Sequence, residues 1–285
     1  GAYRFTVTPG ENTVLDVQSV LFPRQDVELL GIAPLTSMFY YGENTIRPRG
    51  EWRPQVHDSD GLLVHDGASD EWLWRPLRNP QTLNMDYFAT QRGFGLLQRD
   101  TEFRNYMDLE AHYDGRPSAW VKPTGDWGKG NVVLVQLPTP DETNDNIVAF
   151  WKPEAAVGKG QELKYDYQIQ FGGPDIAQSP LGRTKASFLG DGMRIGGGNE
   201  EGAIRLIVDF AGGPLTELKA DAAVLGDVSV QQVEPLKRWR LSILARPAPD
   251  RPLNVRAFLK DEAQTLTETW QYELPAGTDL LGPAK

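Results

Sequence analysis

The sequence predicts an all-β protein in which a large β-sandwich is followed by a small immunoglobulin-like β-sandwich. Many short stretches have the alternation or the apolar runs that are typical of strands. Glycine (29 residues) and proline (21 residues) separate these stretches, and long amphipathic helical patterns are scarce. Many short strands between turn residues favour sandwich architecture.

The predicted strands are spread along the whole chain. The clearest ones, in order, cover residues 3–8, 131–137, 147–151, 163–171, 203–210 and 239–245. A short helix is predicted over residues 102–110. The strand pattern ends at Leu274-Pro275, and the length of the last region suits a small immunoglobulin-like sandwich.

A stretch rich in glycine and proline divides the predicted strands into two regions. Its motifs are Gly172-Gly-Pro174, Ser179-Pro-Leu-Gly182 and Gly196-Gly-Gly-Asn199, which are typical of linkers and loops. Six of the eight tryptophans lie at or before Trp151, so the composition changes across this stretch. We predict the large sandwich over residues 1–172, a linker or loop over 173–201 and the immunoglobulin-like sandwich over 202–285.

Composition excludes several classes of function. The formal net charge of −10 argues against a nucleic-acid partner, because an acidic chain repels phosphate backbones. No apolar run approaches the roughly 20 residues of a membrane span. Without cysteine the chain has no disulfide, no thiolate zinc site and no cysteine nucleophile. Because the chain begins in a strand pattern without Met, we expect it to be a fragment.

Two polar loops hold the candidate catalytic groups. The first, Glu51-Trp-Arg-Pro-Gln-Val-His-Asp-Ser-Asp60, combines aromatic, basic and acidic side chains. An Asx-type turn with His57 in a hydrogen-bonding niche is the simpler interpretation of these residues. The second loop, residues 138–146, offers Asp141, Glu142 and Asp145 before an apolar strand. Partial burial there would raise the pKa of Asp145 and suit a general acid, whereas a solvated acidic loop is the simpler reading.

Aromatic residues are concentrated in the first region, beside basic and amide side chains. Sugars place flat C–H faces on aromatic rings while their hydroxyl groups need polar partners, and core packing explains the same rings. The side chains we predict to contact a substrate are Tyr41, Trp52, Arg53, His57, Trp72, Trp74, Arg75 and Arg92. A strand would place Trp72 and Trp74 on one face, which is as typical of a core as of a sugar platform.

Other chemistries lack support in the sequence. No serine nucleophile elbow occurs, and His57 and His65 lack the spacing of a recognised metal motif. We therefore predict neither a metal nor a cofactor. The glycine run at 196–198 lacks the Lys-Ser/Thr ending of a phosphate loop, so a turn is the better interpretation.

Nine stretches together resemble the family of periplasmic glucan biosynthesis proteins G and D. They are residues 14–19, 30–39, 52–60, 71–77, 93–98, 116–120, 127–130, 141–151 and 268–275. The resemblance spans nearly the whole chain and is looser between about 172 and 253. It implies a periplasmic protein with two β-sandwich domains that acts on β-1,2-glucan as an inverting hydrolase or transglycosylase.

The resemblance also implies residue roles. The aspartate of Asn144-Asp-Asn146 corresponds to the general acid, so that role passes to Asp145. The aspartate of His57-Asp-Ser59 makes Asp58 the candidate general base, with Asp60 a weaker choice. The family's large domain begins well upstream of Gly1, so the first part of that sandwich is expected to be missing here.

Two further functions stay open at this point. The chain can hold nascent glucan as a non-catalytic scaffold, or the region of about 184–277 can serve as an interaction module for a membrane glucan synthase. The sequence does not separate hydrolysis from transfer or cyclisation, nor protein G from protein D, and an oligomer is possible.

Overall fold

The computed structural model describes residues 1–89, 92–193, 199–213, 219–222, 228–261 and 264–277. In these residues the chain is built from strands, and its helical elements are single 3-10 turns at Phe103–Asn105, Tyr113–Gly115 and Glu234–Leu236. The prediction of an all-β protein is confirmed. The predicted helix over 102–110 is wrong, because only Phe103–Asn105 is helical and the residues after it form an irregular loop.

The strands are numbered in chain order. Up to residue 178 they are β1 (Ala2–Thr8), β2 (Thr13–Leu21), β3 (Ile32–Ser37), β4 (Phe39–Tyr41), β5 (Val56–His57), β6 (Gly61–His65), β7 (Trp72–Pro76), β8 (Asn84–Ala89), β9 (Gly93–Leu97), β10 (Ser118–Pro123), β11 (Gly130–Gln136), β12 (Ile147–Pro153) and β13 (Leu163–Gly172). After it come β14 (Arg183–Met193), β15 (Asn199–Ala211), β16 (Lys219–Ala222), β17 (Val228–Val233), β18 (Arg238–Ala245), β19 (Leu253–Lys260) and β20 (Thr269–Leu274).

The chain divides into two compact units. The first comprises Gly1–Tyr40, Arg53–Trp72 and Leu77–Gln178, and the second comprises Tyr41–Trp52, Leu73–Pro76 and Ser179–Lys285.

The predicted linker over 173–201 contains β14, which forms a long antiparallel ladder with β15. The linker interpretation is therefore wrong for Arg183–Met193, which form a strand although glycine-containing motifs lie on either side of them. Gly196–Gly198 lie outside the described residues.

The first unit contains two sheets whose inner faces form its core. One sheet runs in the order β1-β2-β13-β10-β9-β6 and the other in the order β3-β12-β11-β8. Buried and less buried residues alternate along most of β3 and β13, as a sandwich requires. Trp151 on β12 packs against Tyr165 on β13 with ring centroids 5.7 Å apart, and both rings meet Trp127. Aromatic side chains therefore fill much of this core.

Strand β1 stands at the edge of the first sheet and pairs with β2 through seven residue pairs. All of its residues are exposed, including the alternating Tyr3, Phe5 and Val7. The Tyr3 and Phe5 rings are parallel, with centroids 5.8 Å apart. This edge therefore presents an apolar row that the described residues leave uncovered.

The second unit is a smaller sandwich. One sheet runs β14-β15-β18-β17, and the strands β7-β20-β19-β16 are adjacent in that order in the other. Its core holds Leu206, Val208 and Phe210 from β15 and Trp270 and Tyr272 from β20, all fully or almost fully buried.

Candidate functional site

The candidate site is organised by the junction between β3 and β4. The backbone N–H of Asp58 donates to the carbonyl oxygen of Met38 at 2.9 Å. The side chain of Asn146 binds both backbone polar groups of Phe39, the residue after Met38. Its Oδ1 accepts from the N–H of Phe39 at 2.8 Å, and its Nδ2 donates to the carbonyl oxygen of Phe39 at 3.0 Å. One short segment thus holds the loop before β6 and the loop before β12.

Further hydrogen bonds fix the same two loops. The Ser37 hydroxyl donates to the Ser59 hydroxyl at 2.8 Å, while Ser37 pairs with Ile147 in the β3–β12 ladder. Asn146 Nδ2 also donates to the carbonyl oxygen of Leu137, and the N–H of Leu137 donates back to Asn146. These bonds are buried or partly buried, so the loops that carry Asp58 and Asp145 have little freedom to move apart.

Asp58 and Asp145 line one open cleft of about 460 Å³ in the first unit, which we call the acidic cleft. Its remaining lining residues are Pro34, Leu35, Thr36, Ser37, Ser59, Leu96, Arg116, Pro117, Ala119, Ile169 and Phe171. Leu96, Ala119 and Phe171 lie opposite one another on neighbouring strands and face the same side of the sheet. The cleft therefore has an apolar sheet floor and an acidic rim.

The electrostatics of Asp58 reflect this position. Burial raises the pKa of Asp58, the nearby guanidinium of Arg116 lowers it, and the negative charge of Asp145 raises it again. The Arg116 Nε lies 3.1 Å from Asp58 Oδ1, close enough for an ion pair but not aligned as a hydrogen bond. The two aspartates are therefore close enough to influence each other's ionisation.

Asp145 is exposed, so the predicted partial burial of this side chain is wrong. Burial begins one residue later, at Asn146, which turns inward to bond Phe39 while Asp145 points outward. The raised pKa found in the cleft belongs to Asp58.

Charged and aromatic groups surround the two aspartates. Arg53 binds both Asp108 at 2.8 Å and Glu142 at 2.7 Å. Arg116 lies over the Tyr113 ring, with its guanidinium carbon 5.6 Å from the centroid. Burial raises the pKa of the Tyr113 hydroxyl, and the charges of Glu142 and Asp58 raise it further. Sequence reasoning missed Tyr113 and Arg116 as site residues, although Arg116 opens one of the stretches on which the resemblance rests.

His57 was predicted to contact substrate, and the structure corrects this. Its side chain is 1% exposed, beneath the loop that carries Asp58. It fills a hydrogen-bonding niche between Gln55 and Gln98. Asp60 is also largely internal: its Oδ2 accepts from the backbone N–H groups of Arg99 and Asp100. His57 and Asp60 therefore stabilise the loop that carries Asp58 from its buried side.

Two other predicted contacts, Trp72 and Arg92, line a second cleft of about 470 Å³, which we call the rear cleft. The parallel rings of His65, Trp72 and Trp120 form a row, with centroid spacings of 3.9 and 5.8 Å. The Trp120 ring lies close against Gly93 and Gly95, where a Cβ atom would approach it to 2.6 and 2.9 Å. Because Trp120 and Ala119 alternate along β10, the two clefts lie on opposite faces of the sheet.

The remaining predicted contacts belong to the second unit. Tyr41, Trp74 and Arg75 are between 1% and 3% exposed. The Arg75 guanidinium carbon lies 5.9 Å from the centroid of the Tyr272 ring. These three side chains are core, so we do not retain them as substrate contacts. Trp52 is 65% exposed, so burial does not exclude it as a substrate contact.

Among the described residues no group of three metal-ligating side chains comes together. The chemistry that the acidic cleft offers is that of carboxylates beside guanidinium groups, which suits proton transfer to and from a hydroxyl-rich ligand.

Comparison of the sequence with known proteins identifies its family. The profile of the family described as "Periplasmic glucan biosynthesis protein, MdoG" matches residues 1–274. The chain belongs to this family. The family's description names the periplasm, which agrees with the predicted location, and no helix within the described ranges has the length and apolar character of a membrane span.

Relatives in the family carry names in agreement with the resemblance. The chain is 44% identical over 287 residues to the "Probable glucans biosynthesis protein D" of Shewanella oneidensis, with 96% of this chain and 53% of the relative covered. It is 45% identical over 299 residues to the "Glucans biosynthesis protein G" of Pseudomonas paraeruginosa, covering 97% and 56%. This member therefore spans about half the length of the curated relatives that it matches.

Replacing Asn146 by Ala should destabilise the first unit strongly. The change removes the partners of the Phe39 N–H, the Phe39 carbonyl and the Leu137 carbonyl, at a cost of about 2–4 kcal/mol in the free energy of unfolding. Urea denaturation measures it. Asn144→Ala is the matched control, since Asn144 is exposed and makes one long bond of 3.4 Å to Thr139. Equal effects of the two changes would contradict the anchoring role.

Asp58→Asn should stabilise the protein at neutral pH. A carboxyl whose pKa is raised by folding favours the folded state at low pH, and this contribution is lost as the pH rises through the raised pKa. The free energy of unfolding of the variant should equal that of the unmodified protein below about pH 4. Above that pH the variant should become the more stable of the two, by a difference that grows with pH and then stays constant. Thermal unfolding across this pH range measures it. Asp141→Asn is the control of opposite sign, because hydrogen bonds from Thr143 lower the pKa of Asp141.

Proposed function

We propose that the chain carries the catalytic cleft of an enzyme that processes β-1,2-glucan, by hydrolysis or transglycosylation, with inversion at the anomeric carbon. The observation that carries the proposal is the shared acidic cleft, to which two distant loops bring Asp58 and Asp145. Membership of a glucan biosynthesis family supports glucan as the substrate class. The linkage and the reaction type rest on the resemblance described above.

The proposed chemistry needs two carboxyl groups in opposite states. Asp145 donates a proton to the leaving glycosidic oxygen as the bond from that oxygen to the anomeric carbon breaks. Asp58 takes a proton from a water molecule, or in transfer from a sugar hydroxyl, whose oxygen bonds to the opposite face of the anomeric carbon. In inverting enzymes the two carboxyl groups are roughly 6.5–9.5 Å apart, which leaves room for water.

The surroundings of the two carboxyl groups differ in exposure and in nearby charge. The exposed Asp145 is accessible to a leaving oxygen on the solvent side of the cleft. Burial alone would favour a protonated Asp58, so a base at this position needs positive charge nearby. Arg116, 3.1 Å away, and His57, the preceding residue, both lower the pKa of Asp58 and offset part of the effect of burial, although the pKa stays raised.

The rest of the substrate groove is proposed to come from other parts of a longer protein. Since the chain spans about half the length of its relatives, further strands of the large sandwich would extend the acidic cleft along the glucan. A membrane glucan synthase is the proposed source of the substrate.

Asp145→Asn should abolish cleavage of linear β-1,2-glucan, because an amide cannot donate the required proton. We expect a loss of at least about a hundredfold in rate, the lower end of general acid catalysis. Asp141→Asn, on the same loop but outside the cleft lining, is the matched control and should retain activity. Chromatography of the oligosaccharides measures both, and thermal unfolding reports whether each variant is folded. Full activity of Asp145→Asn would refute the assignment.

The non-catalytic alternative is tested by the same assay. A scaffold that holds nascent glucan would bind linear glucan without shortening it, even when the assay uses the longer protein that carries this chain. The charged and apolar lining of the acidic cleft suits binding as well as cleavage, so the product analysis separates the two functions.

The rear cleft is proposed as a secondary glucan contact, through Trp72 and the cation of Arg92 on its rim. In an Asp145→Asn background, which prevents turnover, Arg92→Ala should weaken glucan binding about fivefold, or roughly 1 kcal/mol. Calorimetric titration measures this. Arg104→Ala is the control, because Arg104 is exposed and belongs to neither cleft lining. Equal affinities in the two variants would remove the rear cleft from the binding surface.

A further inference from the structure

His57 occupies a rigid and enclosed position directly before Asp58. Its ring lies parallel to Phe39, with centroids 5.2 Å apart and an interplanar angle of 14°. Tyr106 meets it edge-on, also at 5.2 Å. With 1% of its side chain exposed, the imidazole cannot reach a substrate, so any role in the reaction has to pass through its neighbours.

Both ring nitrogens of His57 face amide oxygens. Nδ1 lies 3.0 Å from Oε1 of Gln98, and Nε2 lies 3.0 Å from Oε1 of Gln55. An amide oxygen can only accept a hydrogen bond. With the amides in these orientations, each contact requires a hydrogen on the histidine nitrogen.

The orientation of each amide is fixed by its own nitrogen. Gln98 Nε2 donates to the carbonyl oxygens of His57 and Tyr113, each at 3.0 Å. Gln55 Nε2 donates to Asp100 Oδ2 at 2.8 Å. Rotating either amide by half a turn would place its oxygen against another oxygen, which is repulsive. The hydrogen-bond network thus allows one arrangement only.

A neutral imidazole has a single N–H and cannot satisfy both contacts. We infer that His57 is a buried imidazolium, a fixed positive charge that positions and ionises the neighbouring Asp58. This inference rests on the proposed function for its catalytic consequence, but not for the charge state itself. His57 is a positioning residue, since it touches neither substrate nor reacting atoms.

The counter-charge that the geometry offers to the imidazolium is Asp60, whose pKa burial raises and the charge of His57 lowers. Asp60 Oδ1 lies 3.6 Å from His57 Nε2, and its other oxygen accepts the N–H of Asp100 at 2.8 Å. A buried cation needs such a partner, because the desolvation cost of an unpaired charge is prohibitive.

Other charged or titratable groups lie on the elements packed around the ring. They are Asp58 and Asp60 on its own loop, Asp100 beyond Gln55, and the Tyr106 and Tyr113 hydroxyls with Arg116 on the loop between β9 and β10. The carboxylates among these groups favour the charged ring, whereas the guanidinium of Arg116 opposes it.

Nuclear magnetic resonance tests the charge state directly. Long-range ¹H–¹⁵N correlation of protein with ¹⁵N-labelled histidine reports whether each ring nitrogen carries a hydrogen. At about pH 8, where an ordinary imidazole is neutral, we expect both His57 nitrogens to be protonated. The variant His57→Gln assigns the signal among the three histidines. A His57 signal with one bare nitrogen at that pH would overturn the inference.

The pH dependence of glucan cleavage tests the positioning role. His57→Gln removes the positive charge beside Asp58, so the acidic limb of kcat/KM should move upward by about one pH unit. A purely structural role would lower the rate at every pH and leave the limb in place, which contradicts the positioning role. If the longer protein that carries this chain cleaves no glucan, the proposed function fails, while the resonance measurement still decides the charge of His57.

Discussion

The site depends on one short piece of backbone, Ser37 to Phe39, which bonds two loops that are far apart in sequence. Ser37 reaches Ser59, Met38 accepts from Asp58, and Phe39 is bracketed by Asn146. Because these bonds are largely shielded from water, breaking any of them leaves a polar group without a partner. The spacing of the two aspartates is thus a property of the sandwich core rather than of flexible loops.

The acidic cleft also shows how a partly buried carboxylate is kept compatible with folding. Asp58 has lost much of its hydration, and the negative charge of Asp145 adds to the cost of ionising it. Arg116 and His57 act in the opposite direction. Positive groups therefore approach Asp58 from two sides, one at the solvent edge and one within the core. Such opposing contributions are expected where function requires a charge that stability disfavours.

Much of the fold followed from local patterns. Alternation and apolar runs identified strands such as β11, β12 and β13, because both signals report directly on burial. The same patterns do not say which buried face belongs to a core and which to a groove, so Tyr41, Trp74 and Arg75 were predicted as contacts but lie inside the second unit. The helix over 102–110 failed because irregular backbone there is held by side-chain bonds, including Asn105 to Asp100 and two backbone N–H groups to Asp108.

The candidate site was predictable only in part. Its two aspartates were named through motif resemblance, while no local signal gives their spatial relation or the inward turn of Asn146. Arg116 and Tyr113 come from a loop without regular periodicity, and their place beside Asp58 depends on the closure of β9 onto β10. His57 looked like a ligand contact because polar loop residues usually are; its burial follows from amide partners up to 41 residues away.

The exposed edge strand β1 has a practical consequence for handling the isolated chain. A strand with free backbone groups and the apolar row Tyr3, Phe5 and Val7 is a template for intermolecular strand pairing. Mutual repulsion between chains of net charge −10 opposes such pairing, and added salt screens that repulsion. Concentrated samples should therefore self-associate least in buffer of low ionic strength. As the ionic strength rises, self-association should begin at the β1 edge.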